Sequence, residues 1–395
     1  VPSVLSATRL LNGLVSPEDA LRYGRTTADT PAHLLHFTRE KKPVVVWNCT
    51  QRCNLHCAHC YSSSKNQEYP GELTHEEGLE MLADLARFGV PTVLFSGGEP
   101  LMREGLFALA AEAKRLGMRT VLSTNGTRIT AETAQTIRDS GFSYVGVSID
   151  GIGKRHDKLR GKAGAYEATL AGIREVQEVG VRTGLRFTLH GLNRDELGDV
   201  FELAEQLGVQ RLCVYHLAYA GRGDKLSKHD LLPADTREAV EEIFDRVEAL
   251  GARGSEIEVL TVDNPVDNVL LLERLRKRDP ARADDVEQML RWNGGNQSGI
   301  AIASIDPTGW VHPDQFSWHV KAGNVRERPF SEIWSDSNPV LAPYRQRPRP
   351  LSGRCAGCRY LDLCNGGLRV RAESAYGDVS APDPACYLTD AEIAA

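Results

Sequence analysis

The sequence predicts an α/β fold, a partial (β/α)6 barrel followed by a small cysteine-rich α+β module. Three observations lead there. Short β-rich runs alternate with amphipathic helical stretches from Pro43 to about residue 250. The alternation covers six units, too few for a closed eight-unit barrel. Beyond Pro350 the chain turns rich in Cys, Gly and Pro and poor in periodic segments, a composition that needs a metal for stability.

The six strands are expected at Val44–Trp47, Thr92–Phe95, Arg119–Ser123, Tyr144–Ile149, Arg182–Leu189 and Arg211–Tyr215. Apolar residues at helical spacing place helices at about Thr74–Phe88, Leu106–Leu116, Ala131–Asp139, Ala165–Val179, Asp195–Leu207 and Ala234–Leu250. Strands that alternate with helices build parallel βα units, and the chemistry is expected at the strand C-termini. Residues 1–42 read as a helical extension and 43–250 as the barrel. The charged stretch 251–295 reads as a linker and 296–395 as the second module. That module opens on a hairpin, IAIASIDPTGWVHPD.

The chain has 395 residues, 41% hydrophobic and 25% charged, with a net charge of −6. This is the composition of a globular protein with a sizeable core, and nothing in it suggests a nucleic-acid partner. The basic run Arg345–Arg349 reads as a solvated linker. No apolar run reaches the ~20 residues of a membrane span, and the first residues do not read as a signal peptide. A cytoplasmic location is therefore expected. The nine cysteines fall into two groups with Cys213 between them. In a reducing compartment such clusters mean metal or catalysis rather than disulfides.

Cys53, Cys57 and Cys60 form Cys-x3-Cys-x2-Cys directly after the first strand. A loop there can wrap three thiolates around one Fe–S cluster. Three ligands for four irons leave one iron open to chelate an amino and a carboxylate group, as S-adenosylmethionine offers. A structural zinc site is the alternative, although zinc favours paired Cys-x2-Cys units and four closed ligands. Cys49, four residues earlier, reads as a core cysteine of the strand.

Ser96-Gly97-Gly98-Glu99-Pro100 follows the second strand, so two glycines admit a close approach of backbone to ligand and Glu99 adds a carboxylate. Thr124-Asn125-Gly126 ends the third strand and Ser148-Ile149-Asp150-Gly151 the fourth. Each of these residues alone could be a helix cap or turn. Arg186 on the fifth strand is a candidate for a ligand carboxylate, with Thr188 and His190 beyond it. Tyr215 and His216 end the sixth and are expected to face substrate or adenine.

The run CNLHCAHCY resembles the signature of radical S-adenosylmethionine (radical SAM) enzymes. The resemblance implies a [4Fe–4S] cluster on Cys53, Cys57 and Cys60. It implies reductive cleavage of S-adenosylmethionine to a 5′-deoxyadenosyl radical, which takes hydrogen from a substrate. It also implies that Gly97, Gly98 and Glu99 meet the methionine amino group, that Ser148 and Asp150 lie near the ribose, and that Asn125 lines the pocket. A low-potential electron donor such as flavodoxin or ferredoxin is implied with it.

Cys355, Cys358, Cys364 and Cys386 supply four thiolates, enough for a closed [4Fe–4S] cluster or a zinc ion. Their spacing resembles the C-terminal half of the SPASM module of radical SAM enzymes. The preceding hairpin holds no cysteine, and Asp314 stands about where a ligand would be. One auxiliary cluster is therefore expected, as in the shortened twitch form, with the hairpin end free to touch substrate.

Within that family, HPDQFSWH, GNVRERPFSEIW, CNGGLRVRAESAYGD, VVVWN and YHLAYAGRG resemble the radical enzymes of heme d1 and alternative heme biosynthesis. The resemblance spans about residues 43–395. It implies a tetrapyrrole substrate, didecarboxysiroheme or iron-coproporphyrin, whose carboxylate side chains are removed. His216, His312 and His319 become candidates for its iron or carboxylates, and Arg222, Arg369 and Arg371 for its carboxylates. The alternatives are a radical enzyme acting on a peptide or on an antibiotic or nucleoside intermediate, and a non-enzymatic Fe–S electron carrier. The 42 residues before Pro43 are few for a leader-binding domain, which disfavours the peptide reading.

Overall fold

The structure is a computed structural model that describes residues 5–22, 30–37, 41–335 and 337–394. Seven parallel strands follow one another in sequence order. They are β1 (Val44–Thr50), β2 (Thr92–Gly97), β3 (Arg119–Thr124), β4 (Tyr144–Ser148), β5 (Thr183–Leu189), β6 (Arg211–His216) and β7 (Glu258–Val262). Three more strands extend the sheet beyond β1: β8 (Ile302–Ile305), β9 (Trp310–His312) and β10 (Gly323–Asn324). β8 runs parallel to β1, and the β8–β9–β10 meander is antiparallel. The sheet stays open, with β7 and β10 at its edges.

Two expectations are corrected here. The parallel run has a seventh unit, because β7 pairs with β6 from Arg211↔Glu258 to Tyr215↔Val262. The stretch 251–295 is accordingly not a linker. It carries β7 and the helices Val266–Arg278 and Pro280–Asn293, whose apolar faces are buried in the main core. Its charges had masked that face, because Arg274 reaches Glu241, Asp245 and Glu248 in ion pairs along the neighbouring helix Pro233–Ala252.

Local chemistry explains most of the remaining elements. Thr74 and Glu77 form a reciprocal capping box at the start of helix His75–Phe88, and Gly89 ends it in the left-handed conformation. Trp47 on β1 and Phe95 on β2 are fully buried beneath that layer. Burying a side chain of this size contributes roughly 1.5–3 kcal/mol. Asp306 ties the β8–β9 turn by accepting from Thr308 N and Trp310 N. In the N-terminal extension, helix Ala7–Leu11 lies against β7, where the Thr8 hydroxyl accepts from Val259 N.

Candidate active site

The first cysteine loop leaves β1 and is clamped on both sides. His56 N and Ala58 N donate to Arg160 O and Leu159 O of helix Lys154–Arg160. From the other side Arg222 donates Nε to Cys57 O at 2.7 Å and Nη1 to Ser64 O at 2.9 Å. Arg222 is thus a clamp of the loop rather than a free carboxylate partner. Gly161 and Gly221 allow these contacts, since a Cβ would lie 2.7 Å from His56 O and 2.3 Å from Tyr61 O respectively.

Cys53, Cys57 and Cys60 gather with Leu55 and Ala165 in one small cluster at the mouth of a cavity over the strand C-termini. Burial pushes the Cys53 thiol up to about 12 and raises Cys57 as well, with Arg160 opposing the rise at Cys57. Two buried thiols with so little positive charge, beside the half-buried Cys60, are unstable as thiolates without a metal. This donor set therefore fits a bound Fe–S cluster. Cys49, by contrast, is fully buried within β1, away from that mouth, and Cys213 packs with Tyr215, Leu260 and Val262.

The cavity brings together Gly97, Gly98, Asn125, Ser148, Arg186, Tyr215 and His216. The two glycines also serve a packing task. A Cβ on Gly98 would lie 2.3 Å from Arg52 O, and one on Gly97 would lie 2.2 Å from Thr50 O. Both positions are small so that the β2 turn can press against the start of the cysteine loop. Glu99 is fully buried behind that wall. Its carboxylate accepts from Leu101 N, Thr124 Oγ1 and Asn125 N, and so braces the ends of β2 and β3. Asn125 donates to Asn54 Oδ1 and accepts from Thr127, which fixes its side chain at the rim.

Asp150 is also fully buried. His59 Nε2 and Arg160 Nε each lie 2.6 Å from its Oδ2. Burial alone would raise this carboxyl, but Arg160 and His59 outweigh it and hold it well below the usual range. Asp150 Oδ2 is therefore committed to the cysteine loop, whereas Oδ1 is buried without a hydrogen-bond partner among the described residues. Arg186 has no carboxylate partner among the described residues, and its guanidinium lies over the Tyr215 ring at 4.7 Å. His216 is oriented by Asp267, with Nε2 2.8 Å from Oδ2, and Tyr387 donates to the other carboxylate oxygen at 2.9 Å.

The hairpin reaches the cavity through residues other than those expected. Gln315 and Phe316 line it, and Phe316 packs edge-on against Tyr61 at 5.4 Å. His312 is buried in the hairpin base, with Nδ1 2.8 Å from Val320 O and its ring stacked on Trp318. His319 is exposed and pairs with Glu373 at 2.7 Å. Asp314 accepts from Ser298 Oγ, Phe316 N and Ser317 N, holding the hairpin tip beside a small polar recess.

The second cysteine group lies against helices Val266–Arg278 and Pro280–Asn293. Burial raises Cys355, Cys364 and Cys386, the last to about 11, and the neighbouring thiols add to each rise. These are the thiols that would hold an auxiliary cluster, although among the described residues no three His, Cys, Asp or Glu side chains are gathered tightly enough to hold a single metal ion. Arg371 makes a bidentate pair with Asp383, at 2.9 and 2.8 Å, and also donates to Leu217 O and Asp263 O. Arg369 donates to Val379 O and Ala381 O. Arg371 is thus a buried strut, while Arg369, also buried, keeps Nε and Nη2 without a partner among the described residues.

Sequence reasoning missed Arg160, His59, Asp267 and Asp263. Asp263 had a signal, since Val262-Asp263-Asn264-Pro265 has the look of a strand end followed by a turn. The other three had none, because their partners are distant in sequence.

Comparison with known proteins gives a consistent result. The family model "Radical SAM superfamily" matches residues 47–204. The chain is 50% identical over 394 residues to the Fe-coproporphyrin III synthase of Methanosarcina barkeri, covering 99% of each. It is 45% identical over 365 residues to the pre-heme d1 synthase of Dinoroseobacter shibae, covering 92% of this chain and 90% of the relative. Among solved structures it is similar to Streptococcus suis SuiB bound to S-adenosylmethionine. The TM-score is 0.70 at 18% identity, over 88% of this chain and 78% of that one.

Proposed function

The chain belongs to the radical SAM superfamily, and from that premise we propose that its substrate is an iron tetrapyrrole whose carboxylate side chains it removes. It is an enzyme of heme biosynthesis, so the reading as a mere electron carrier falls. Cys53, Cys57 and Cys60 would hold a [4Fe–4S] cluster, which would supply the electron for reductive cleavage of S-adenosylmethionine and so the means of taking hydrogen from the substrate.

The residues of this chain then have defined tasks. Gly97, Gly98, Asn125 and Ser148 shape the wall that receives S-adenosylmethionine. Arg186 offers a fixed positive charge to a carboxylate side chain, and His216, aligned by Asp267, faces the substrate. Gln315 and Phe316 close the cavity from the hairpin side. Cys355, Cys358, Cys364 and Cys386 hold one auxiliary cluster, and a flavodoxin- or ferredoxin-type donor delivers electrons. This reading rests on one observation above all, the single cavity that unites the three cysteines with Arg186, Tyr215 and His216.

The test is anaerobic reconstitution followed by turnover with didecarboxysiroheme. The expected result is 5′-deoxyadenosine together with a product that has lost carboxylate side chains. Formation of 5′-deoxyadenosine with the tetrapyrrole unchanged would overturn the proposed substrate.

A further inference from the structure

Asp263 stands directly after β7, at the C-terminal end of the sheet where the cavity opens. Its φ is 69°, a left-handed conformation uncommon outside glycine though open to Asp and Asn. That backbone is pinned from outside, because Arg371 donates to Asp263 O at 2.7 Å and is itself locked by Asp383. The conformation turns the carboxyl toward the cavity shared with Arg186 and His216 and toward the polar recess shared with Asn264 and Gln315.

One carboxyl oxygen finds no donor there among the described residues. Asp263 Oδ2 is shielded from solvent and has no hydrogen-bond partner, and the same holds for Asn264 Oδ1 and Gln315 Oε1 around it. Three acceptor oxygens without a donor are costly to leave unmet. A proton on the carboxyl turns one of these acceptors into a donor.

We propose that Asp263 is a substrate-binding residue that donates a hydrogen bond from its carboxyl O–H to an anionic group of the substrate, beside the fixed charge of Arg186. The inference rests on the tetrapyrrole reading above and deepens it, because it assigns one substrate carboxylate to a neutral donor and a cation together. Burial pushes Asp263 up to about 7. Arg371, Arg186 and His216 act against that rise, and the charge of Asp314 adds to it. A carboxylate bound to Arg186 adds a further negative charge next to Asp263, and so favours the protonated form.

The experiment uses the reconstituted full chain, iron-coproporphyrin III as the tetracarboxylate probe, and the variant Asp263→Asn. Asn tolerates the left-handed backbone, so the variant keeps its fold. Its amide N–H replaces the O–H donor at every pH. Wild-type affinity is expected to weaken more than about tenfold between about pH 6 and pH 8.5. The variant is expected to show a flat profile near the wild-type value at the lower pH. An infrared difference spectrum supplies a readout that needs no substrate. A protonated-carboxyl band present near pH 6, and absent in the variant, is expected.

A missing band overturns the neutral Asp263. A pH dependence that survives in the variant assigns the titration to another group, such as His216, and overturns it equally. Metal analysis that finds a cation held by wild type and not by the variant overturns it as well. A wild type that shows the band yet binds no tetrapyrrole at either pH overturns the substrate reading and, with it, the assigned ligand of Asp263.

Discussion

Arg160 Nε lies 2.6 Å from Asp150 Oδ2, and Nη1 of the same guanidinium donates to Cys57 Sγ at 3.5 Å. A buried carboxylate from the end of β4 is thereby tied to a proposed cluster ligand through one arginine. Asp150→Ala leaves Arg160 buried without its counter-charge. We expect a loss of about 3 kcal/mol or more in stability. Denaturant unfolding of the anaerobic protein measures it, and the variant should also retain less iron at its first cluster. A stability within a few tenths of a kcal/mol of wild type would contradict the pairing.

The two cysteine groups should separate in function. Cys53→Ala is expected to abolish 5′-deoxyadenosine formation. Cys358→Ala should still cleave S-adenosylmethionine but lose tetrapyrrole turnover. Iron counts of about eight per wild-type chain and about four to five in either variant fit two [4Fe–4S] clusters. A wild-type count near four would remove the auxiliary cluster.

Asp267 acts through His216 rather than on substrate. Asp267→Asn keeps the size of the side chain but takes away the charge that aligns the ring. We expect kcat to fall roughly 10–100-fold, as for other orienting partners of a histidine. Binding of S-adenosylmethionine, followed by calorimetry, should hold. A proportionate loss of both would mark a general structural defect.

The raised carboxyl of Asp263 also predicts the sign of a stability difference. Its ordinary value is 3.8 and its folded value about 7, so the folded state holds this proton more tightly than the unfolded state. Wild-type stability from this group is complete below the ordinary value and is lost as pH climbs toward 7. Asp263→Asn is free of that loss. The Tm of the variant relative to wild type should therefore rise between about pH 4 and pH 7 and level off above it. A constant or falling difference would contradict the assignment.

Most of the barrel was legible because its signals are local. The apolar run of β1, the capping box at Thr74 and the amphipathic helix His75–Phe88 each declare themselves within a few residues. β7 escaped because it has five residues and is followed by a heavily charged stretch, whose arginines are neutralised by acids on another helix. Helix Lys154–Arg160 escaped for a similar reason. It spans seven residues and four of them carry ordinary positive charges, so no apolar period marks it.

The sequence by itself determined the chemistry of this protein. Three thiols at a fixed spacing and a glycine-rich turn form a short-range pattern, and spacing along the chain is enough to read it. The tertiary structure decided which side chains are free to act on a ligand. Glu99 looks available in the sequence, yet both its oxygens are taken up by Thr124 and Asn125, and Asp150 gives its Oδ2 to His59 and Arg160. Asp263 looks ordinary, yet it reaches the cavity with Oδ2 unpartnered among the described residues, beside the Arg186 that the sequence had already marked. The reason is physical: a buried polar group must be satisfied by whatever the fold brings beside it, and that neighbour is set by packing between strands dozens of residues apart.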